Sequence, residues 1–268
     1  QKDPSLVPDS VKNELSSIGL WDVHPRNLYR ITWKNEAKAS GGAFGGVNYM
    51  ELPPSLTGVE ARIVALVGKW FPTGAHKVGA TFGCLVPRLV TGQFDPEVNL
   101  AVWPSTGNYC RGGAYDATLL ACESIAILPE GMSQERFGWL DRWCANPAED
   151  VIRTVGTESN VKEIYDACNE LALDPGNFVL NQFSEFGNHL GHYRVTGRAL
   201  GHVFDTVREQ YRDRGRELSL AAFTSSGLST EVSEALDAAQ AVARDRRMRL
   251  WLPNRSAQTM LVIPPSTV

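Results

Sequence analysis

Short apolar runs alternate with helical patterns along most of this chain, starting at residue 62. The strand-like runs lie at 62–67, 99–103, 124–128, 151–155, 178–180 and 218–223. The helical patterns lie at 77–89, 112–122, 134–143, 159–173, 190–210 and 230–246. Strands separated by helices pair in parallel, because a helix is long enough to return the chain to the same end of the sheet. The alternation therefore predicts an α/β fold with an open, mostly parallel sheet flanked by helices.

The first 58 residues lack this alternation and are rich in Pro, Gly and Asn. They include the sequence GGAFGG at residues 41–46, which does not match the G-x-G-x-x-G fingerprint of dinucleotide-binding folds. Glycine is frequent in turns and loops, since it tolerates backbone angles that other residues avoid. We therefore predict an irregular N-terminal arm over residues 1–58 and a folded region over residues 59–268.

Charge and cysteine usage argue against several classes of partner. The formal net charge is -4, and the basic residues are scattered apart from a short arginine cluster at 244–249, which disfavours nucleic acid. The five cysteines are far apart without a Cys-x-x-Cys pair, so they are predicted to be buried thiols in a reducing compartment. No apolar run reaches the roughly 18 residues of a membrane span, and no secretory leader is visible. These features predict a cytoplasmic protein that binds neither nucleic acid nor membrane.

The segment 72–77 reads Pro-Thr-Gly-Ala-His-Lys, and it follows a strand-like run and opens a predicted helix. The amide groups and dipole of a helix start favour an anion there. A lysine that forms an imine must be available as a neutral amine, and burial or a nearby positive dipole lowers its pKa toward that state. Lys77 is therefore a candidate for covalent chemistry, although a lysine in the first turn of a helix is more often a solvated surface residue.

A polar loop, Trp-Pro-Ser-Thr-Gly-Asn, occupies residues 103–108 after the strand predicted at 99–103. Ligands of open α/β sheets bind outside the carboxyl ends of the strands, so these groups are predicted to face the crevice. Hydroxyls and backbone amides can donate to a carboxylate, and Asn108 can donate to a phenolate-like oxygen. A capped turn before the next helix explains the same residues about equally well.

A third group of residues follows the run at 178–180 in a fixed order. It consists of Asn181-Gln182-Phe183, then Asn188, His192-Tyr193 and Thr196-Gly197. Together the three segments resemble the fold-type II pyridoxal-phosphate enzymes of the cysteine synthase and cystathionine β-synthase family. That family shows Pro-Thr-Gly-Ser-x-Lys, then Thr/Ser-Ser-Gly-Asn-x-Gly, then the Asn-Gln-Phe order. The Thr-Gly-Ala-His-Lys part of this chain is also similar to the lysine segment of tryptophan synthase β-chains.

The resemblance implies an α/β fold of open, twisted, mostly parallel sheets with the cofactor in the cleft between two subdomains. Residues 59–268 would form the catalytic region, with a smaller subdomain at about 95–200 inserted in the larger one. Lys77 would carry pyridoxal 5'-phosphate as a Schiff base and act in catalysis, while Asn108 would contact the ring hydroxyl. The resemblance implies that the substrate carboxylate is surrounded by Ser105, Thr106, Gly107, Tyr109 and Gln182.

The segment after the last apolar run departs from this family. Residues 224–229 read Thr-Ser-Ser-Gly-Leu-Ser, where the family has a glycine-rich phosphate loop such as Gly-Thr-Gly-Gly-Thr. Amides of such a loop and the dipole of the next helix match a phosphate dianion. The position in the chain assigns the cofactor phosphate to Thr224, Ser225, Ser226 and Gly227. Alternatively, residues 225–227 correspond to the family's later Ser-Ser-Gly segment beside the pyridine nitrogen, and a stretch near 224–226 is absent from this chain.

The activity implied by the resemblance is β-elimination or β-replacement on a small amino acid such as serine, cysteine or O-acetylserine. Threonine or serine dehydratase and tryptophan synthase β-like activities are the enzymatic alternative, which the Asn-Gln-Phe and His-Tyr segment disfavours and Ala75 and His76 support. The alternative of another class is a noncatalytic scaffold with a degenerate phosphate loop. A nicotinamide-dependent oxidoreductase is disfavoured because the glycine fingerprint is missing. Enzymes of this family are usually homodimers, so we expect a homodimer with no metal.

Overall fold

The computed structural model describes residues 3–36, 44–213, 218–224 and 260–263. Its α-helices are α1 (Asp9–Leu15), α2 (Pro54–Thr57), α3 (Lys77–Thr91), α4 (Asn108–Leu119), α5 (Gln134–Leu140), α6 (Pro147–Asp150), α7 (Val161–Leu171), α8 (Phe186–Gly191) and α9 (Gly197–Arg212). Its strands are β1 (Tyr49–Leu52), β2 (Arg62–Leu66), β3 (Leu100–Pro104), β4 (Ser124–Pro129), β5 (Val151–Thr154), β6 (Asn177–Val179), β7 (Ala222–Thr224) and β8 (Met260–Ile263).

One sheet is parallel throughout and has the strand order β5-β4-β3-β6. Alternate residues of its central strands face opposite layers of helices. Val102 and Ile127 pack on one side against Ile164 of α7. Trp103 and Leu128 face the main core on the other side. Burial on both faces explains why β3 and β4 are almost continuously apolar, and the predicted α/β fold with a parallel sheet is confirmed.

The other sheet has the order β1-β2-β8-β7, and its described pairs are antiparallel. The sequence did not predict this arrangement. Only residues 53–61 connect β1 to β2, which is too short for the crossover that parallel pairing needs. The strand expected at 218–223 is shorter than predicted, because β7 begins at Ala222. The helix predicted at 230–246 lies outside the described residues.

The N-terminal region is more ordered than the irregular arm that the sequence predicts. It contains α1 and β1, and Val7, Val11 and Leu15 form a small apolar cluster with Phe44. Farther along, Trp33 joins the main core. The apolar residues of α1 repeat every four positions, which is the helical spacing, but the surrounding Pro and Gly residues obscured the signal. The predicted division at residue 58 and the inserted subdomain at 95–200 stay predictions.

Helix α3 is packed closely between α4 and α8. A Cβ atom on Gly83 would lie 2.6 Å from the carbonyl oxygen of Gly187 in α8. On the other side, a Cβ on Gly112 in α4 would lie 2.9 Å from the backbone of Val78. Because Val78 follows Lys77, these glycines hold the start of α3 against the first turns of α4. The predicted helix at 190–210 is divided by a π-helical turn at His192–Thr196, a feature frequent at functional sites.

The five cysteines are buried and none is paired in a disulfide, which confirms the prediction of buried thiols. Burial raises the pKa of each thiol to about 11 or 12. They are therefore neutral near pH 7 and pack as small apolar side chains. Among the helices that the structure describes, none has the length and apolar character needed to cross a membrane.

Candidate active site

The topology of the parallel sheet creates a crevice between β3 and β6. The chain runs from β3 outward through β4 to β5 and then returns to β6, on the opposite side of β3. The strand order therefore changes direction between β3 and β6, and ligands of open α/β sheets bind outside the carboxyl ends of strands at such a point. Residues 105–108 follow β3 and Gln182 follows β6. Two of the three predicted segments thus leave the same edge of the sheet, side by side.

Lys77 is the first residue of α3 and is partly buried. Burial disfavours the charged ammonium and lowers its pKa to about 8, while the nearby Cys84 acts weakly in the opposite direction. A lysine with this pKa has a substantial neutral fraction close to physiological pH, as covalent catalysis by an amine requires. The prediction that Lys77 opens a helix is confirmed.

The turn before Lys77 is strained. Thr73 has a φ of 69° although it carries a side chain, and the next residue, Gly74, has a φ of 71°. Thr73 is also buried, with 3% of its surface exposed. A residue held in this region costs about 1–3 kcal/mol, and such strain is found mainly where the backbone must take one specific path. The Thr-Gly pair therefore fixes how the chain enters α3.

A cluster of neutral aromatic and hydroxyl groups lies beside Lys77. The His76 ring stacks on Trp33 at 5.4 Å and meets the His192 ring edge to face at 5.6 Å. The hydroxyl of Thr196 accepts a hydrogen bond from the Trp33 indole at 3.0 Å and lies 3.2 Å from Nδ1 of His192. These residues line a small cavity. The sequence did not assign Trp33 or Thr196 to the site, because their proximity depends on chain segments 163 residues apart.

Both histidines of this cluster are uncharged at neutral pH. Burial, followed by the charge of Lys77, lowers the pKa of His76 to about 3. The pKa of His192 lies well below its usual value, first because of burial and then because of His76 and Lys77. The wall beside Lys77 is therefore apolar or neutral, which favours the unprotonated amine.

The loop after β3 combines buried and exposed groups. Ser105 is buried, and its hydroxyl accepts a hydrogen bond from the Gly107 amide at 3.2 Å. Thr106 is partly buried, and Asn108, the first residue of α4, is exposed. The Ser105 hydroxyl proton remains able to donate to a ligand. The predicted contacts of Ser105, Thr106, Gly107 and Asn108 with substrate or cofactor stay predictions.

Tyr109 does not have the position that the sequence predicts for it. Its side chain is 1% exposed and points into the core, where the hydroxyl donates to the Leu180 carbonyl at 2.9 Å and lies 3.4 Å from the Cys84 sulfur. A side chain anchored in this way does not reach a substrate carboxylate in the crevice. The predicted side-chain role of Tyr109 is corrected to a structural one, because the first turn of α4 directs this position toward β6.

Gln182 lies in the turn that follows β6 and is partly buried. Its backbone carbonyl accepts a hydrogen bond from the buried Asn188 amide at 2.9 Å, and the Asn181 side chain accepts from the Phe183 amide at 3.0 Å. Asn181 and Asn188 therefore fix the turn, and the turn holds Gln182 at the crevice. Of the predicted phosphate-loop residues, Thr224 ends β7, whereas Ser225, Ser226 and Gly227 lie outside the described residues.

Comparisons with known proteins agree with the fold. No family model matches the chain. Cystathionine beta-synthase of Saccharomyces cerevisiae is 26% identical over 204 residues, which are 72% of this chain and 38% of the yeast protein. The solved structure of a hydrogen sulfide-producing enzyme of Fusobacterium nucleatum, Fn1055, matches 68% of this chain with a TM-score of 0.54 and 18% identity. A second such enzyme of that organism, Fn1220, matches 69% with a TM-score of 0.52 and 17% identity.

The chain spans only part of each of these relatives. It covers 51% of the Fn1055 chain and 54% of the Fn1220 chain, and less of the yeast protein. The structural matches show the arrangement of sheets and helices, and the yeast match is one of sequence. Both agree with the resemblance of this chain to the fold-type II pyridoxal-phosphate enzymes of the cysteine synthase and cystathionine β-synthase family.

Proposed function

We propose that this chain carries the site of a pyridoxal-phosphate enzyme that performs β-elimination or β-replacement on a small amino acid. The observation that supports this most is Lys77, a partly buried amine with a pKa of about 8 at the start of a helix. The backbone of the next residue, Val78, is packed against Gly112 of α4, the helix that follows the polar loop at the β3–β6 crevice. The similarity to a cystathionine beta-synthase and to hydrogen sulfide-producing enzymes also supports this proposal.

The residues around the crevice fit the cofactor as far as they are described. Lys77 would hold pyridoxal phosphate through its amine, Asn108 would donate to the ring hydroxyl, and residues 224–227 would contact the phosphate. When bound, the cofactor supplies an electron sink for negative charge at the substrate α-carbon. The single glycine of residues 224–227 supports a second candidate, a noncatalytic scaffold that binds the cofactor weakly or not at all.

The chain's own groups supply binding and proton transfer. The Ser105 and Thr106 hydroxyls and the Gln182 amide would donate to the substrate carboxylate and so orient the α-carbon. The neutral amine of Lys77 would take the α-proton, which is the step that its lowered pKa favours. The leaving group then departs from the β-carbon with its electron pair. Elimination ends in pyruvate and ammonia, and replacement ends in addition of a thiol or sulfide.

Cofactor binding can be tested by the visible absorption that remains with the protein after free cofactor is removed. The chain is mixed with pyridoxal phosphate, desalted and examined for visible absorption. We expect colour in the wild type and in Lys69→Ala, a control at an exposed lysine eight positions upstream, and no colour in Lys77→Ala. A colourless wild type would contradict the enzyme proposal and support the scaffold. Pyruvate release from serine, cysteine and O-acetylserine, with and without sulfide, then distinguishes elimination from replacement.

Two further properties are proposed on weaker support. The family resemblance supports a homodimer, which sedimentation of the purified chain would test. The composition supports a cytoplasmic location, which imaging of the tagged chain in cells would test. Neither property bears on the chemistry proposed above, so the failure of either leaves that chemistry unchanged.

A further inference from the structure

Two arginines flank the loop at residues 105–108 and have no role in the chemistry proposed above. Arg111 lies in the first turn of α4, three residues after Asn108, and residues at this spacing share one side of a helix. Arg136 lies in α5, which follows the neighbouring strand β4. Arg136 reaches this loop at Gly107, whereas Arg111 extends from the helix that follows the loop toward the Thr73 carbonyl.

Arg111 is a buried cation that makes no ion pair with a carboxylate among the residues the structure describes. It is 8% exposed, and its guanidinium reaches toward the Thr73 carbonyl at 3.5 Å, across to the segment that precedes Lys77. The Trp139 ring covers it at 4.7 Å. Its buried Nε atom has no hydrogen-bond partner within the described part of the chain. A buried charge that lacks an ionic partner is costly for a folded chain.

Arg136 lies directly against Gly107. A Cβ atom at Gly107 would lie 2.8 Å from Nε of Arg136, so the absence of a side chain there lets the guanidinium reach the loop. Its Nη1 atom contacts the Met132 sulfur at 2.9 Å. Within the described ranges, no carboxylate makes an ion pair with Arg111 or Arg136.

The charge of Arg136 acts against the charge of Arg111. Burial lowers the pKa of Arg111, Glu135 and then Cys110 oppose that shift, and Arg136 adds to it. Glu135 is exposed to solvent, so water screens much of its attraction. The arrangement is thus electrostatically incomplete and would be relieved by an anion between the two arginines.

We propose that Arg111 and Arg136 form a second anion subsite beside the carboxylate loop, which selects amino acids that carry a negatively charged group on the β-carbon. The inference rests on the proposed function, because it names the substrate class of the same site. The α-carboxylate is already provided with the Ser105 and Thr106 hydroxyls and with Gln182. Serine and O-acetylserine bring one anionic group only, and would leave both guanidinium groups uncompensated.

A phosphate ester matches this subsite best. Guanidinium groups bind phosphate through paired, charge-assisted hydrogen bonds, and two of them can neutralise a dianion. With O-phosphoserine, removal of the α-proton by Lys77 accompanies cleavage of the bond between Cβ and the ester oxygen. The oxygen leaves with the electron pair as inorganic phosphate, so atoms and charge balance without a further reactant.

The test measures binding of O-phospho-L-serine and L-serine to the full chain by calorimetry, first without cofactor. We expect O-phosphoserine to bind at least about tenfold more tightly than serine, a difference that one charge-assisted hydrogen-bonded pair can supply. Arg136→Met and Arg111→Met should each remove most of that preference. Arg142→Met, at an exposed arginine just after α5, should retain it and controls for general attraction of anions.

Three results would overturn the proposal. These are equal affinity for the two amino acids, an unchanged preference in both arginine variants, and an equal loss in Arg142→Met. If the arginines instead hold the cofactor phosphate, the arginine variants bind pyridoxal phosphate more weakly but bind pyridoxal as the wild type does. In that case the wild type shows no preference for O-phosphoserine. Arg136 is only partly buried, so its variant tests the subsite even if Arg111→Met unfolds.

The result of this binding test can be distinguished from the result of the colour test of the proposed function. If the protein stays colourless with pyridoxal phosphate but prefers O-phosphoserine, the result contradicts the enzyme proposal and supports the anion subsite. If the protein is coloured but shows no preference for O-phosphoserine, the result supports the enzyme proposal and contradicts the subsite. Replacing a buried, unpaired arginine by methionine should leave the unfolding temperature equal or higher in the absence of ligand.

Discussion

The two helices that begin at the site offer opposite environments to a ligand. Helix α3 begins with a partly buried lysine beside two neutral histidines and the Trp33 indole. Helix α4 begins with the exposed Asn108 and contains Arg111, and Arg136 lies against the loop before it; neither arginine makes an ion pair with a carboxylate among the described residues. The first environment favours an uncharged amine, and the second favours an anion. A site that joins a neutral nucleophile to a carboxylate-bearing substrate requires both.

Removing the Lys77 amine should have the largest effect on activity. Lys77→Ala leaves α4 and its loop unchanged but eliminates the group that would take the α-proton. We expect pyruvate release to fall by about 10²–10⁴-fold, the usual contribution of a positioned proton-transfer group. Initial rates with saturating cofactor provide the measurement. Lys69→Ala should retain the wild-type rate, and a similar rate in Lys77→Ala would refute the assignment.

The lowered pKa of Lys77 predicts how cofactor capture depends on pH. A pKa of about 8 gives roughly 300-fold more neutral amine at pH 7 than an ordinary lysine with a pKa of 10.5. Cofactor capture should therefore increase with pH and level off above about 8, as the remaining ammonium is lost. Stopped-flow absorbance across pH 6 to 10 measures the profile. A rate that keeps rising toward pH 10 would show that the amine is solvated.

How much of the site follows from sequence depends on how local each signal is. The helix that Lys77 opens and the strand before residue 105 follow from short-range periodicity, and both are confirmed. The antiparallel pairing of β2 with β8 joins segments about 200 residues apart, and no local pattern specifies it. The direction of the Tyr109 side chain depends on Leu180, and the burial of Arg111 depends on Trp139. In a sequence, Arg111 resembles any exposed helical arginine.

A buried carboxyl group between the two helices should show a smaller effect, on stability. Asp116 is fully buried in α4, and its only described partner is the Thr81 hydroxyl at 2.6 Å. Burial raises its pKa well above 3.8, although Thr81 opposes the shift. The folded state therefore keeps its proton while the unfolded chain loses it near pH 4, so stability decreases as pH rises above that value.

Asp116→Asn should remove this pH dependence, because an amide cannot ionise and its oxygen can still accept the hydrogen bond from Thr81. Denaturant unfolding at pH 5 and pH 8 provides the measurement. We expect the variant to gain stability relative to the wild type as pH increases from 5 to 8, by up to about 1.4 kcal/mol per pH unit while the wild-type carboxyl keeps its proton. The opposite trend, with the variant less stable at pH 8 than at pH 5 relative to the wild type, would show that Asp116 is ionised in the folded protein.

The smallest expected effect concerns the neutral wall beside Lys77. Thr196→Val removes the hydroxyl that accepts from the Trp33 indole and contacts His192. Loss of these bonds should lower the free energy of unfolding by about 1–3 kcal/mol, since buried polar groups lose a partner. Thr206→Val, at an exposed threonine in α9, is the matched control and should change stability by less than about 0.5 kcal/mol. Equal changes in the free energy of unfolding for the two variants would show that the Thr196 hydrogen bonds do not stabilise the cluster.

The central claim is that one specific amine, that of Lys77, captures pyridoxal phosphate. Reduction of the loaded chain with borohydride, followed by proteolysis and mass spectrometry, locates the attached cofactor directly. The account predicts one modified peptide, and that peptide contains Lys77. Modification spread over surface lysines, or concentrated on Lys69 or Lys162, would contradict it.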